Sequence, residues 1–466
     1  MKSRVIRSLV LSLSIAAPLS ARAQSDVSLW LTNSDRSALF QPQAPIPFTK
    51  SPSTNQVIDV DAAKTYQTID GFGFALTGGS AQLIQHMEPA ARAALLQNLF
   101  ATNGDSIGVS YLRLTIGASD MNDHVFSYDD LPTGQTDTAM ARFSIEPDRA
   151  DVIPVMKQIL AINPHIQVLA SPWSAPLWMK TSGIARGGVL KPEYFSAYAT
   201  YLVKYIQAMK AEGITIDTLT IQNEPLNEKN TPSMLMLESE QALFIKDDLG
   251  PAFKKAGITT KIVLYDHNLD HPLYPLSILR DPAANKYIDG TGFHLYGGTT
   301  DAMTQVHDAF PRKNLYFTEQ SVTDPNDNKV MSLSKPVAEI IIGATRNWSR
   351  NVLLWNLAAD PGNGPHTDDG GCTFCRGAVT IDGNKITRLL AYYTLAHASK
   401  FVRPGSIRIG SNTLDTLPNV AFKTPDGKRV LIVSNTSTTA QKFDVRSGAN
   451  LFTASLKAGS VGTYIW

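Results

Sequence analysis

Eight short apolar runs, rich in β-branched or aromatic residues, follow one another along the chain and limit its possible folds more than any other feature. Each run suits a strand buried on both faces, and helical patterns lie between most of them. The runs are Thr68–Phe72, Tyr111–Thr115, Gln167–Ala170, Leu219–Gln222, Ile262–Tyr265, Gly292–Leu295, Leu315–Thr318 and Val352–Trp355. The clearest helical patterns are Pro89–Leu99, Asp148–Ile162, Pro192–Glu212, Glu238–Ala256 and Val337–Trp348. Eight strand–helix units in succession predict an α/β fold, a closed parallel (β/α)8 TIM barrel.

The main alternative to a barrel is a doubly wound open sheet. Such a sheet usually carries a glycine-rich phosphate loop after an early strand, and the early run Asp70–Phe74 (DGFGF) does not match that fingerprint. The barrel therefore remains the better prediction, and we assign it residues 66–385.

The pattern changes after about residue 385. A helix predicted at Thr387–Lys400 is followed by short alternating strands, which indicate an antiparallel β-sandwich. These strands are Val420–Lys423, Arg429–Ser434, Gln441–Asp444 and Val461–Trp466. We therefore expect a second domain over residues 386–466. Residues 24–65 contribute to it in part, with a possible strand at Val27–Leu31.

The first residues have the three parts of a secretory signal peptide. Lys2, Arg4 and Arg7 are followed by the short apolar stretch Leu9–Leu19 and by the small-x-small site Ala21–Ala23. We expect residues 1–23 to be removed and the protein to be exported, to the periplasm or the cell exterior. No later segment has the roughly 18 apolar residues that a membrane helix needs.

Charge and cysteine content exclude some classes of function. The formal net charge is +1, from 42 basic and 41 acidic residues, which gives no electrostatic basis for a nucleic-acid partner. The two cysteines, Cys372 and Cys375, cannot complete a zinc site alone, and their glycine-rich surroundings do not suit a redox helix. In an oxidising compartment a short-range disulfide is favoured, with free thiols as the alternative.

Two glutamates stand where predicted barrel strands end. Glu224 follows the fourth run in QNEP, and Glu319 follows the seventh in FTEQ. In such barrels chemistry lies at the carboxyl ends of the strands, and a carboxylate after a buried strand is costly without a role or a partner. A salt bridge at the barrel rim would explain one such residue. Two of them suit glycoside hydrolysis, which needs one protonated and one ionised carboxyl group.

Aromatic residues recur at the same strand ends. Trp173 and Trp178 follow the third run, Tyr296 follows the sixth, and Trp355 ends the eighth. Core packing would explain any single tryptophan, but their recurrence favours a sugar site, because flat aromatic faces match the apolar faces of pyranose rings.

Three polar residues are further candidates for contacts with a sugar. Asp120 follows the second run and could accept from hydroxyls, although a turn role is nearly as good an explanation. Asn223 could donate to the 2-hydroxyl. His294 alone would suggest a satisfied buried histidine; beside Tyr296 and Glu319 it suggests a hydrogen bond near the nucleophile.

Seven motifs in chain order resemble those of glycoside hydrolase family 30, the family of glucosylceramidases and β-1,6-glucanases. They are QTIDGFG at 67–73, LRLTIGASD at 112–120, SPWSAPLWMK at 171–180, QNEP at 222–225, HLY at 294–296, YFTEQ at 316–320 and WNL at 355–357. Each motif is weak alone, and together they are specific. The resemblance implies a barrel with a β-sandwich built from both chain ends. It also implies a substrate-facing loop at Cys372–Cys375.

The resemblance further implies residue roles. Glu224 would be the acid/base and Glu319 the nucleophile. Asp120, Trp173 and Asn223 would hold the nonreducing sugar, and Tyr296 and Trp355 would line its pocket. No metal or organic cofactor is expected.

Three departures from the family pattern leave the substrate open. Thr77–Gly79 stands where many relatives have an aspartate, Met121 where an aromatic is common, and Gln320 where a small residue or cysteine is common.

We therefore expect a retaining glycoside hydrolase acting on a carbohydrate or glycolipid, namely glucosylceramide, a β-1,6-glucan, or a short β-glucoside or β-xyloside. The alternatives are a noncatalytic carbohydrate-binding barrel and a barrel lyase or isomerase. The first should lack a carboxylate. The second would typically need a phosphate loop, a metal site or a lysine base.

Overall fold

A computed structural model describes residues 26–49, 54–324 and 330–466. The predicted signal peptide, residues 1–23, lies outside the described residues. Within those ranges, no helix combines the length and the apolar character that crossing a membrane requires.

The predicted barrel is confirmed, because eight parallel strands close on one another in chain order. In that order the barrel strands are Gly71–Leu76, Tyr111–Ile116, Gln167–Pro172, Thr218–Thr220, Lys261–Asn268, Ile288–His294, Asn314–Glu319 and Ser349–Leu354. The last strand pairs with the first, through Val352 and Phe72. The inward and outward faces are both buried, which explains why these runs are continuously apolar.

The first barrel strand begins later than its predicted start at Thr68. Residues up to Thr68 belong to the sandwich strand Gln56–Thr68, and the chain breaks there before Gly71. Asp70 accepts a bidentate ion pair from Arg350 on the eighth strand, at 2.6 and 2.9 Å. Gly71 has a φ of +152°, and a Cβ there would lie 2.6 Å from Ser110 Oγ, so the break requires glycine.

Helices cover the outside of the barrel. The α-helices of four or more residues are Gly78–His86, Pro89–Phe100, Val152–Ile162, Phe195–Ala211, Glu238–Leu243, Gly250–Ala256, Leu273–Leu279, Pro282–Asn285, Asp301–Ala309, Gly343–Arg346 and Leu390–Ser399. Short 3-10 turns lie at Glu146–Arg149, Leu177–Met179 and Pro192–Tyr194. The predicted helix at Glu238–Ala256 contains a π-helical turn at Phe244–Leu249. The predicted helix at Val337–Trp348 begins with a π-helical turn at Val337–Ile342, which a short helical segment at Ser334–Pro336 precedes.

The second domain is a nine-stranded sheet around its own apolar core. In spatial order its strands are Asn450–Leu456, Gln441–Ser447, Gln56–Thr68, Ile407–Ser411, Asn419–Lys423, Arg429–Ser434, Val461–Ile465, Ser28–Thr32 and Gln41–Pro42. Both chain ends therefore build it. Its pairing is antiparallel except between Gln441–Ser447 and Gln56–Thr68, which run parallel. A separate small sheet joins Ala358–Ala359, Val379–Asp382 and Lys385–Arg388.

The helix Leu390–Ser399, which the sequence grouped with the sandwich, packs in the main barrel core. All of its residues are buried. His397 on this helix bridges to the sandwich, since its ring nitrogens lie 2.9 Å from the hydroxyls of Thr463 and Thr32. The helix therefore joins the two domains.

Candidate active site

A cavity of about 570 Å³ opens at the carboxyl end of the barrel. Six of the nine residues that the sequence singled out for the site line it: Asp120, Trp173, Glu224, Tyr296, Glu319 and Trp355. Asn223 and His294 are buried directly behind the two glutamates. Trp178 is not part of this lining; it packs on Tyr194, and its Nε1 donates to Asp129 Oδ2 at 3.0 Å.

Glu224 lies just past the fourth strand, which ends at Thr220. Its φ of +45° is unusual for a residue with a side chain, and such strain persists where the surroundings fix the backbone. The N–H of Glu224 donates to Asp266 O at 3.0 Å, and the N–H of Asn223 donates to Pro172 O at 2.8 Å. These two bonds to neighbouring strands hold the Glu224 backbone in place.

Glu319 is the last residue of the seventh strand and is buried. Its Oε2 accepts a very short hydrogen bond from Arg113, and its Oε1 accepts one from the Tyr296 hydroxyl at 3.0 Å. A permanent cation and a phenol therefore both favour the ionised form of Glu319.

The two glutamates face each other across the cavity. One carboxylate oxygen of Glu224, one of Glu319 and a ring nitrogen of His294 all lie within 4.8 Å of one another. The fold thus brings together side chains that lie 95 residues apart in the sequence.

Arg113 organises the floor of the site, and sequence reasoning did not single it out. It is fully buried in the second strand, and its guanidinium Nη2 donates to Asn223 Oδ1 at 2.7 Å and to Asp266 Oδ2 at 2.8 Å. Its guanidinium lies 4.7 Å from the centre of the Trp173 ring. Because arginine can only donate, the amide oxygen of Asn223 must face it, which fixes the orientation of that amide.

His294 stands between three carboxylates. Its Nδ1 lies 3.1 Å from Glu224 Oε1 and 3.9 Å from Glu319, and its Nε2 lies 3.1 Å from Asp266 Oδ1. Burial lowers the pKa of His294, but these carboxylates outweigh it and raise that pKa to about 9. Both nitrogens then carry protons near neutral pH.

The pKa values of the two glutamates differ in direction. Burial raises the pKa of Glu224, but the hydrogen bond and charge of His294 outweigh burial and lower that pKa to about 2. Asn227 adds to the lowering, because its Nδ2 donates to Glu224 Oε2 at 2.6 Å. The pKa of Glu319 is raised, mainly by burial, while the His294 and Arg113 cations oppose this shift. With His294 charged, the site therefore favours an ionised Glu224.

One end of the cavity has unpartnered polar atoms suited to a sugar. Trp173 and Trp355 stack with ring centres 5.4 Å apart. The Nε1 of Trp173 and the Oδ1 of Asp120 are buried, with no partner among the described residues. Burial, and then the charges of Glu319 and Glu224, raise the pKa of Asp120 to about 8. Buried polar groups are usually satisfied, so these atoms are available to sugar hydroxyls.

Cys372 and Cys375 form a disulfide, and both residues line the cavity. Cys375 is buried in one cluster with Trp173, Trp355 and Met121, so the loop after the eighth strand packs against the aromatic pair. Met121, which follows Asp120, packs in this same cluster.

Comparisons with known proteins agree with this geometry. Residues 69–402 match the glycosyl hydrolase family 30 TIM-barrel domain, and residues 405–464 match the family 30 β-sandwich domain. An endo-1,6-β-D-glucanase of Aspergillus fumigatus is 33% identical over 83% of this chain and 82% of its own length. The lysosomal acid glucosylceramidase of Mus musculus is 29% identical over 89% of this chain and 84% of its own length.

Solved structures show the same relationship. An endo-β-1,6-glucanase superposes with a TM-score of 0.88 and 36% identity, covering 95% of this chain and 99% of its own. Since the family model spans most of the chain and the motifs lie around the cavity in family order, this chain belongs to glycosyl hydrolase family 30.

Proposed function

We propose that this enzyme hydrolyses β-1,6-linked glucans with retention at the anomeric carbon, using Glu319 as the nucleophile and Glu224 as the acid/base. One observation carries the proposal: oxygens of the two carboxylates lie within 4.8 Å across a single cavity. Retaining enzymes hold their carboxyl groups about 5–5.5 Å apart, whereas inverting enzymes need about 6.5–9.5 Å to admit a water.

In the first step, an oxygen of Glu319 attacks the anomeric carbon while the bond to the leaving oxygen breaks. The electron pair of that bond goes to the leaving oxygen, which takes a proton from Glu224. Arg113 and Tyr296 favour the carboxylate form of Glu319 before attack. In the second step, Glu224 removes a proton from water, the water oxygen bonds to the anomeric carbon, and the Glu319 carboxylate is released.

The proton for the first step is held by Glu224 and His294 together. With His294 charged, Glu224 is ionised, which is the reverse of its role in the first step. Moving one proton from Nδ1 to Glu224 Oε1, across 3.1 Å, yields the acid that the reaction needs. The charge of Arg113 is permanent and stays on Glu319. These contacts support the proposed roles, because the movable proton lies beside Glu224 and the fixed cation beside Glu319.

The choice of glucan over glycolipid rests on similarity and on the lining of the cavity. The relatives at 33–36% identity are endo-β-1,6-glucanases, whereas the mouse glucosylceramidase is 29% identical. Beyond Glu224, the lining continues through one apolar residue, Leu226, and then through Asn227, Lys229 and Asn230. These three polar side chains suit hydroxyl groups better than acyl chains.

We also propose that residues 1–23 are a signal peptide and that the mature enzyme acts in the periplasm or outside the cell. A disulfide at Cys372–Cys375 suits an oxidising compartment. Amino-terminal sequencing of enzyme recovered outside the cytoplasm should begin near Gln24.

Azide rescue of an activated aryl β-glucoside tests the two roles separately. Glu319→Ala should be nearly inactive, and azide should restore turnover to give the α-glucosyl azide, because azide then attacks in place of the nucleophile. Glu224→Ala should give the β-glucosyl azide, because azide then replaces water in the second step. Exchanged anomers, or wild-type activity in either variant, would contradict the assignment.

The substrate is tested by product analysis on a β-1,6-glucan and on glucosylceramide. Preferential turnover of the glucan is expected. Turnover of the lipid alone would contradict the choice of substrate while leaving the two carboxylate roles intact.

A further inference from the structure

The disulfide loop, residues 370–375, presents a large apolar side chain at the active-site cavity. Phe374 is 75% exposed and lines the same cavity as Glu224 and Glu319. An exposed phenyl ring gains little from the hydrophobic effect, but here the ring lies on the wall of the cavity that holds both glutamates, where its apolar face can contact a bound sugar.

The disulfide loop is fixed on both sides of that ring. Cys372 and Cys375, three positions apart, are bonded to each other, and Cys375 packs in the buried cluster that contains Trp173 and Trp355. Asn363 Nδ2 donates to the carbonyl oxygen of Thr373 at 3.2 Å. The backbone that carries Phe374 is therefore held in place before a ligand arrives, which reduces the entropy lost on contact.

The start of the disulfide loop lies against the segment that follows the acid/base residue. The N–H of Thr231 donates to Gly370 O at 3.2 Å, and Thr367 Oγ1 donates to Thr231 O at 2.6 Å. Since a proton donor stands beside the leaving oxygen, this segment and the loop border the space that the leaving group occupies.

We propose that Phe374 is a specificity-determining residue that stacks on the sugar unit on the leaving-group side of the scissile bond, and that the disulfide holds it there. This inference rests on the proposed function and names a further contact of the same site. A single aromatic face beside Asn227, Lys229 and Asn230 suits a pyranose, which has apolar faces and polar edges. An acyl chain would need a more continuous apolar lining.

Two substrates separate this contact from the chemistry. A β-1,6-linked glucose trimer places a sugar on the leaving-group side, whereas β-glucosyl fluoride has only a fluorine atom there. In Phe374→Ala, kcat/KM for the trimer should fall about five- to tenfold, while kcat/KM for the fluoride stays unchanged. Phe374→Tyr should retain activity on the trimer. The matched control Leu273→Ala removes another side chain of similar exposure, 70%, and should change neither value.

The disulfide is tested by assaying the wild-type enzyme before and after reduction with dithiothreitol, which opens the bond without replacing Cys375 in its buried cluster. The reduced enzyme should also lose activity on the trimer and keep it on the fluoride. An equal loss on both substrates, or no loss on the trimer in Phe374→Ala, would overturn the proposal. A loss confined to glucosylceramide would overturn the assignment of a sugar to this position. Failure of the wild-type enzyme to hydrolyse the fluoride would instead reject the proposed function itself.

Discussion

Replacing Arg113 with glutamine should raise the pKa of the nucleophile and shift the acid limb of the pH–rate profile. Arg113 is fully buried and contacts Glu319 directly. For charge centres about 4 Å apart and an effective dielectric constant of about 20, their attraction is about 4 kcal/mol, or about 3 pKa units. His294 and Tyr296 remain beside Glu319 in the variant, so we expect a rise of about 1–3 units.

The sign of the effect follows from the role of Glu319. The nucleophile must be ionised, so a higher pKa moves the acid limb of kcat/KM to higher pH. The assay is kcat/KM for an aryl β-glucoside as a function of pH, with circular dichroism to confirm folding. Folding needs this check because loss of one partner from a buried ion pair costs about 3–5 kcal/mol, and Asp266 also loses its cation.

Arg113→Lys is the matched control, because it keeps the charge and loses the planar fork. Its acid limb should lie closer to that of the wild-type enzyme than the limb of Arg113→Gln does. A folded Arg113→Gln enzyme whose acid limb stays at the wild-type pH would refute the claim that Arg113 keeps Glu319 ionised.

Two further predictions concern sugar recognition and acid stability. Asp120→Ala should lower kcat/KM about 10- to 100-fold, because its buried carboxyl is available to substrate hydroxyls. The control is Asp123→Ala, which changes a half-exposed neighbour and should leave kcat/KM unchanged. Equal effects of the two substitutions would contradict the assignment. Burial lowers the pKa of His397 to about 3, below its value of about 6.5 in the unfolded chain. The free energy of unfolding should therefore be highest above pH 6.5 and should fall by up to about 5 kcal/mol as the pH drops towards 3. Urea titrations at pH 7 and pH 4 should show a smaller acid loss in His397→Gln, and an unchanged loss would count against this origin.

The barrel was predictable because each of its strands is buried on both faces and leaves a continuous apolar run in the sequence. The start of the first strand was not. Thr68 has the apolar neighbour Ile69, but the break depends on a close approach of Gly71 to Ser110 and on the ion pair of Asp70. Such contacts between distant segments leave no local pattern.

The sandwich was harder to predict for the same reason. The strands named from the sequence did not include Ile407–Ser411 and Asn450–Leu456, which pair with Gln56–Thr68 and Gln441–Ser447. The stability of such short strands depends strongly on their neighbours. The π-helical turn at Phe244–Leu249 likewise fits an ordinary helical pattern of apolar residues.

The cavity residues were found because they stand at strand ends, whereas Arg113 and Asp266, which lie behind them, were missed. Arg113 lies in the middle of its strand, between Leu112 and Leu114. A signal was present, since an arginine inside a buried strand implies a carboxylate partner. Asp266 follows a predicted strand, but its role depends on a backbone irregularity with a φ of +63°, which the sequence does not reveal.

The central claim is that Glu319 forms the covalent intermediate, and labelling with an activated 2-deoxy-2-fluoro-β-glucoside tests it most directly. The fluorine slows the second step, so a glycosyl-enzyme should accumulate and inactivation should be stoichiometric. Peptide mapping by mass spectrometry should then place the added fluorosugar on Glu319. An adduct on Glu224, or multiple turnover with an inverted first product and no adduct, would contradict the account.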